Sequence, residues 1–248
     1  MSAHPPPPVK KAFLVGYNYP EFQCSLKGCW NDVDAVRAFL LDRGYAPEHI
    51  TVIKDTLETP RIGPNVLMDK MLDFASSINA GEHAFFHFSG HGGQLPDLNG
   101  DEKDKKDECI FADDLSPIRD DDLRKVLVDT LPKDAVLVAL LDCCHSGTGL
   151  DLPFSINRFG GREENRQHSP NKVFCISACD DRSTAADTSF NRIPQGALTH
   201  AFIEVFTRFR GLYWIQALSL LIERTAQFRQ TTQLSSSLKD PRSVRVEL

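Results

Sequence analysis

The sequence predicts an α/β fold in which helices flank a mainly parallel central sheet on both faces. Apolar strand-like runs alternate with segments of helical period. The runs are continuously apolar, as strands buried on both faces are. The two motifs richest in reactive side chains each follow a strand directly. In such sheets functional groups gather beyond the C-terminal strand ends.

Residues 1–10 form a short arm with four consecutive prolines, Pro5 to Pro8. Lys11 to Gly16 (KAFLVG) reads as the first buried strand. Asn31 to Arg43 reads as a helix, with Val33, Val36, Phe39 and Leu40 on one face and Gly44 as its stop signal. Ile50 to Lys54 reads as a strand and Asn65 to Ile78 as a helix. Ala84 to Phe88 is a third strand, ending in Ser89-Gly90-His91-Gly92-Gly93. Asp120 to Val128 reads as a helix whose first turn carries three aspartates, favourable at the positive end of a helix dipole. Ala135 to Leu141 (AVLVALL) is a fourth strand, followed at once by Asp142-Cys143-Cys144-His145-Ser146-Gly147. Lys172 to Ser177 is a fifth. Gly196 to Phe209 and Leu212 to Gln227 read as helices, and Ser243 to Val246 as a last short strand. Asp151 to Pro170 has little periodicity and reads as a loop. It joins a larger segment, 11–170, to a smaller one, 171–248, within one domain.

Composition narrows the function classes. Among 248 residues, 41% are hydrophobic and 25% charged, which is ordinary for a globular chain and not for a disordered or coiled-coil one. The longest strongly apolar run is far shorter than the roughly twenty residues a membrane helix needs. No secretory signal is visible at the N-terminus, so a cytoplasmic location is expected. The net charge is −6, and Asp97 to Asp122 holds eleven acids against four bases. The remainder is nearly neutral, which disfavours nucleic-acid binding through a basic face. The cysteine count is seven, with no CxxC pair. An odd count without a signal peptide argues against a disulfide framework.

Cysteine at the end of a parallel strand, with glycine nearby, suits nucleophilic catalysis by a thiolate with a histidine managing the proton. His87 lies within a strand and suits packing. His145 directly follows Cys144, so its side chain should diverge from that thiol. His91 lies in a glycine-rich turn at a neighbouring strand end and suits the base. On the residues alone a second reading stands beside this one: ordinary buried thiols and a loop histidine.

Phe88-Ser89-Gly90-His91-Gly92 and Asp142-Cys143-Cys144-His145-Ser146-Gly147 resemble the paired motifs of the metacaspases, caspase-fold cysteine peptidases. His91 precedes Cys144 by 53 residues, close to the caspase spacing. Leu26-Lys27-Gly28-Cys29-Trp30-Asn31-Asp32 and Leu152-Pro153-Phe154 extend the likeness. The resemblance implies a caspase-like fold with large and small segments nearly contiguous, as in type I members. It implies Cys144 as nucleophile, His91 as base and Cys143 as a non-catalytic neighbour.

Caspases carry glutamine two residues before the nucleophile and cleave after aspartate, whereas this chain has Asp142 there. By resemblance Cys29, Asp32, Ser89 and Asp142 line the pocket for the residue before the cleaved bond. Carboxylates there would attract a cation, so cleavage after Arg or Lys is expected. Asp32 read alone is equally a helix-start residue.

The acidic stretch read alone is a solvated loop. It fails the EF-hand pattern, since Glu102 stands where glycine is needed. Calcium-dependent metacaspases carry aspartates that match Asp107, Asp120, Asp121 and Asp151, which implies a calcium site of oxygen ligands. The small segment departs from the family pattern at Ala178, Ser183 and Ala185. Arg158, Arg162, Arg166 and Lys172 are candidate self-cleavage sites or plain surface charges. Expected partners are protein or peptide substrates, with no nucleic acid and no membrane, and a monomer by resemblance. Two rivals remain. One is a zinc hydrolase using His83, His87 and His91, whose four-residue spacing suits a helix rather than a strand. The other is a non-catalytic scaffold that keeps the fold.

Overall fold

The computed structural model describes residues 7–96, 106–143, 149–163, 169–179, 188–190 and 193–248. Five strands run parallel in the order β2 (Ile50–Lys54), β1 (Lys10–Gly16), β3 (His83–Ser89), β7 (Val136–Asp142) and β10 (Lys172–Cys179). Three antiparallel strands continue the sheet: β13 (Thr231–Ser236), β8 (Phe154–Asn157) and β9 (Gly160–Glu163). The expected mixed α/β architecture with a mainly parallel sheet is the one found.

Helices cover both faces. On one, α2 (Gly63–Ser76) and α3 (Asp120–Leu127) bury Leu67, Met71, Phe74, Leu123 and Leu127 against Phe13, Val15, Phe86 and Leu137. On the other, α1 (Cys29–Asp42), α4 (Ala197–Arg208) and α5 (Trp214–Ala226) bury Val36, Phe202 and Trp214 against Leu14, Phe85, Val138 and Phe174. Each such side chain contributes roughly 1.5–3 kcal/mol by leaving water. Trp214 stacks on Phe174 with centroids 4.7 Å apart, which fixes α5 over the sheet centre.

Three departures from the expected elements have physical causes. The stretch 151–170 is not all loop, because β8 and β9 form a hairpin at the sheet edge. Their four-residue length, with Gly160 and Gly161 in the second strand, hides the alternation a strand call depends on. Ser243 to Val246 is not a strand. Pro241 opens a 3₁₀ turn, Pro241–Ser243, capped by Asp240, and only a lone Tyr213–Arg245 bridge follows. β13 reads TTQLSS and carries no apolar run, yet Thr232, Ser235 and Ser236 are buried. The Thr232 hydroxyl meets that of Thr225 at 2.7 Å, so its burial leaves no orphan.

Part of the acidic stretch also folds. β4 (Gly92–Pro96), β5 (Lys106–Phe111) and β6 (Pro117–Arg119) make a small antiparallel sheet beyond His91. A two-stranded ribbon, β11 (Thr188–Phe190) with β12 (Ile193–Gln195), leads into α4.

Candidate active site

Register sets the site. Gly16 of β1 lies opposite Ser89 of β3, and Ser89 opposite Asp142 of β7. These three stand abreast at the C-terminal end of the sheet. α1 starts directly over this row. A Cβ on Gly16 would sit 2.5 Å from the Cys29 carbonyl oxygen and 2.6 Å from a Val33 methyl, so only glycine admits the helix this close. The Cys29 N–H donates to Asn18 Oδ1 at 3.0 Å, which begins α1 two residues earlier than periodicity suggests.

The structure brings Asp32, Ser89 and Asp142 together, all at most 5% exposed. Ser89 Oγ donates to Asp32 Oδ2 at 2.7 Å. The Gly196 N–H donates to both Asp32 oxygens, at 2.9 and 3.1 Å. The Thr199 N–H donates to Asp142 Oδ2 at 2.7 Å. Both carboxylates therefore face the N-terminus of α4, where unpaired N–H groups and the helix dipole favour negative charge. A Cβ on Gly196 would fall 2.1 Å from Asp142 Oδ2 and 2.9 Å from Asp32 Oδ2, so the two acids flank this one glycine. Burial holds the Asp142 carboxyl above the usual carboxylate range, and the α4 hydrogen bonds only partly oppose this. Asp32 lies in the first turn of α1, but these bonds tie it to β3 and α4 rather than to its own helix.

His91 follows β3 and is half-buried. Its Nε2 lies 2.7 Å from the Cys24 carbonyl oxygen. A carbonyl only accepts, so Nε2 carries the proton. Nδ1 has no hydrogen-bond partner among the described residues. The imidazole stacks on the Tyr19 ring, centroids 4.7 Å apart and planes 26° apart. Cys143 is buried. Cys144, His145, Ser146 and Gly147 lie outside the described residues, as do Arg166, Ser183 and Ala185.

His87 is wholly buried in β3, with Nε2 3.2 Å from Thr199 Oγ1. Burial pushes its pKa down to about 3, so it is neutral. His83 pairs with Glu247 at the opposite end of β3. A strand rises about 3.3 Å per residue, so histidines four apart are about 13 Å apart and cannot share an ion. The zinc reading fails on this geometry.

Asp107, Asp120 and Asp151 are buried, and Asp121 is half-buried. Asp107 forms an ion pair with Arg119. Asp120 accepts the N–H groups of Glu108, at 3.2 Å, and Asp121, at 3.1 Å. The Asp151 carbonyl accepts from Arg124. All four supply oxygen donors suited to a hard divalent cation. Among the described residues, however, no three carboxylate, imidazole or thiol groups converge as a metal-holding set.

Sequence reasoning missed Tyr19, Asp55, Gly196 and Thr199. Asp55 and Gly196 each had a faint signal, Asp55 directly after a strand and Gly196 directly before a helix. Tyr19 and Thr199 had none, since the contacts that bring them to His91 and Asp142 cross more than fifty residues.

A family profile described as metacaspase, peptidase C14 domain, matches residues 10–153, more than half of the chain. The chain belongs to the metacaspases. It is similar to a metacaspase-1 of Schizosaccharomyces pombe, 33% identical over 92% of this chain and 67% of that one. A metacaspase-1 of Cryptococcus neoformans is also 33% identical, over 92% and 62%. A metacaspase-2 of Arabidopsis thaliana is 35% identical over 84% and 55%. This metacaspase thus spans between 55% and 67% of the length of these three relatives. A solved structure from Geobacter sulfurreducens superposes with TM-score 0.71 over 97% of this chain and 98% of that one. At 20% identity that likeness concerns the fold. No helix among the described residues of this metacaspase is long and apolar enough to cross a membrane.

Proposed function

We propose that this metacaspase is a calcium-activated cysteine endopeptidase that cleaves after Arg or Lys. The observation that carries this reading is the pair of buried carboxylates, Asp32 and Asp142, flanking Gly196 at the sheet end from which His91 also emerges. A cationic side chain about 4 Å from one carboxylate gains about 4 kcal/mol at an effective dielectric of 20, before the cost of shedding its own water. Aspartate in the same place would be repelled.

In the mechanism His91 Nδ1 takes the Cys144 thiol proton, because Nε2 is committed to the Cys24 carbonyl. The thiolate attacks the carbonyl carbon of the bond after Arg or Lys. His91 returns the proton to the departing amine, leaving a thioester that water hydrolyses. Asp107, Asp120, Asp121 and Asp151 are the acids that would hold the calcium, and they would have to close on it, since no three of them converge in the arrangement described. Calcium when bound supplies charge neutralisation among these acids and takes no part in the chemistry. In the arrangement described, Arg119 performs part of that neutralisation at Asp107.

A monomer is favoured because the β8–β9 hairpin covers β13, and the edge it leaves is a strand of four residues. Hydrolysis of peptide reporters ending in Arg, Lys or Asp tests the whole reading. Wild type and Cys144→Ala are compared with millimolar calcium and with chelator. Calcium-dependent cleavage after Arg or Lys, absent in Cys144→Ala, is expected. Cleavage after Asp overturns the pocket, and no cleavage in any condition favours the scaffold.

A further inference from the structure

We propose that Tyr19 is a positioning residue for the His91 imidazole and that Asp55 fixes Tyr19 in that role. The inference rests on the reading of His91 as the base.

Two contacts join Tyr19 to His91, and a third links it to Phe111. The rings stack. The Tyr19 hydroxyl accepts the His91 backbone N–H at 3.0 Å and donates to the Phe111 carbonyl at 2.9 Å. The Phe111 N–H in turn donates to the His91 carbonyl at 3.1 Å, which closes a ring of three bonds around the His91 backbone. The fit leaves no slack. A Cβ on the neighbouring Gly90 would lie 2.8 Å from the Tyr19 hydroxyl.

Tyr19 itself is wholly buried and adopts φ +50°, a left-handed conformation that a bulky residue holds only under constraint. Asp55, just past β2, supplies the constraint. Its carboxylate accepts the Asn18 N–H at 2.8 Å, the Tyr19 N–H at 2.6 Å and the Trp30 indole N–H at 2.7 Å. Asn18 then caps Cys29 through its side chain and accepts the Leu26 N–H through its carbonyl at 2.7 Å. One carboxylate thus ties down both ends of the segment from Asn18 to Trp30. That segment provides the ring under His91 and, from Cys24, the acceptor for Nε2. The consequence is one imidazole orientation and one tautomer, with the proton on Nε2 and Nδ1 left to receive one.

The test compares wild type, Tyr19→Phe, Tyr19→Leu and Asp55→Asn. Each is measured for kcat and KM on the reporter it cleaves and for the His91 tautomer by ¹⁵N NMR, with His91→Asn assigning the signal. General-base catalysis is worth about 10² to 10⁴, and a small misplacement of the base forfeits part of it. Tyr19→Phe keeps the ring and loses the hydroxyl, so kcat should fall about tenfold. Tyr19→Leu and Asp55→Asn should lower kcat about a hundredfold and give mixed tautomers, with KM within about twofold in every case. A folded Tyr19→Leu with wild-type kcat, or with a single Nε2–H tautomer, overturns the proposal. If Tyr19→Leu does not fold, Tyr19→Phe decides, and an unchanged kcat there overturns it. If wild type cleaves none of the reporters, the functional reading fails, and the tautomer in the variants still judges the role of Tyr19.

Discussion

His87 should make this fold acid-labile, by an amount the structure sets. The ring is wholly buried, places Nε2 3.2 Å from the Thr199 hydroxyl of α4, and leaves Nδ1 without a partner among the described residues. Burial lowers its pKa from 6.5 to about 3. Below about pH 6.5 the unfolded chain binds a proton here, and the folded chain does not until about pH 3. Stability is therefore lost as pH falls from 6.5 toward 3. Linkage gives a loss of about 0.8 kcal/mol at pH 6 and about 2 kcal/mol at pH 5. The perturbation is His87→Leu, of similar volume and without a titrating group. At pH 7.5 the variant forfeits one hydrogen bond and removes one unpaired buried nitrogen, so its stability should stay within about 1 kcal/mol of wild type. Asp142 contributes with the opposite sign, because burial raises its pKa and protonation then favours the folded state. That contribution is present in both proteins and drops out of their difference. Urea unfolding at pH 7.5, 6 and 5 reads the result. Relative to wild type, His87→Leu should gain about 2 kcal/mol between pH 7.5 and 5. A difference constant to within about 0.5 kcal/mol across that range would refute a neutral, solvent-shielded His87.

Gly196→Ala should damage the pocket without straining the backbone, since φ at this position is −68°, which alanine adopts freely. The added methyl meets both carboxylates, so stability should fall by about 1–3 kcal/mol and KM for an Arg reporter should rise at least about tenfold; unchanged KM refutes the pocket. Asp32→Asn and Asp142→Asn should each lower kcat/KM on Arg and Lys reporters about 30- to 100-fold, with circular dichroism confirming the fold. Full activity in both removes the acids from substrate recognition. Arg119→Gln releases Asp107 from its ion pair, so calorimetry should show calcium bound about three- to tenfold more tightly. An unchanged affinity takes Asp107 out of the calcium site.

The parallel half of the sheet was legible because its strands are buried on both faces. The run VLVALL in β7 is apolar at every position, as a strand buried on both faces requires. Helix positions followed from period, and register then delivered Ser89 beside Asp142. The antiparallel half was not legible. β13 buries hydroxyls rather than aliphatics, and its support comes from Thr225 and from neighbouring strands, which no local pattern encodes. The pocket acids were found through family motifs, but their partners were not. Gly196 and Thr199 lie far along the chain and reach the site only because α4 packs over β7. Tyr19 was invisible for the same reason. A buried tyrosine near a strand end reads as core until its hydroxyl is seen against the backbone of His91.

The placement of the two acids explains how one site can store negative charge and still present it. Two carboxylates this close would ordinarily share a proton. Here the N–H groups that open α4 give them separate anchors, Gly196 for Asp32 and Thr199 for Asp142. Ser89 adds a second donor to Asp32, and the Thr199 hydroxyl adds one to Asp142. The helix dipole supplies only about half a positive charge, less than two ionised carboxylates carry, while burial raises the Asp142 pKa. On the function proposed above, an arriving guanidinium or ammonium would add the neutralising charge that these donors do not supply. The proposed base stands apart from these acids. His91 is held from the opposite side of the sheet end by the segment containing Tyr19 and Cys24, and its backbone is closed by Phe111 of β5. β5 also carries Asp107, which is paired to Arg119 of the adjoining β6. β5 thus joins Asp107 near one end to the His91 backbone at the other, whereas α1 and α4 hold the buried acids Asp32 and Asp142.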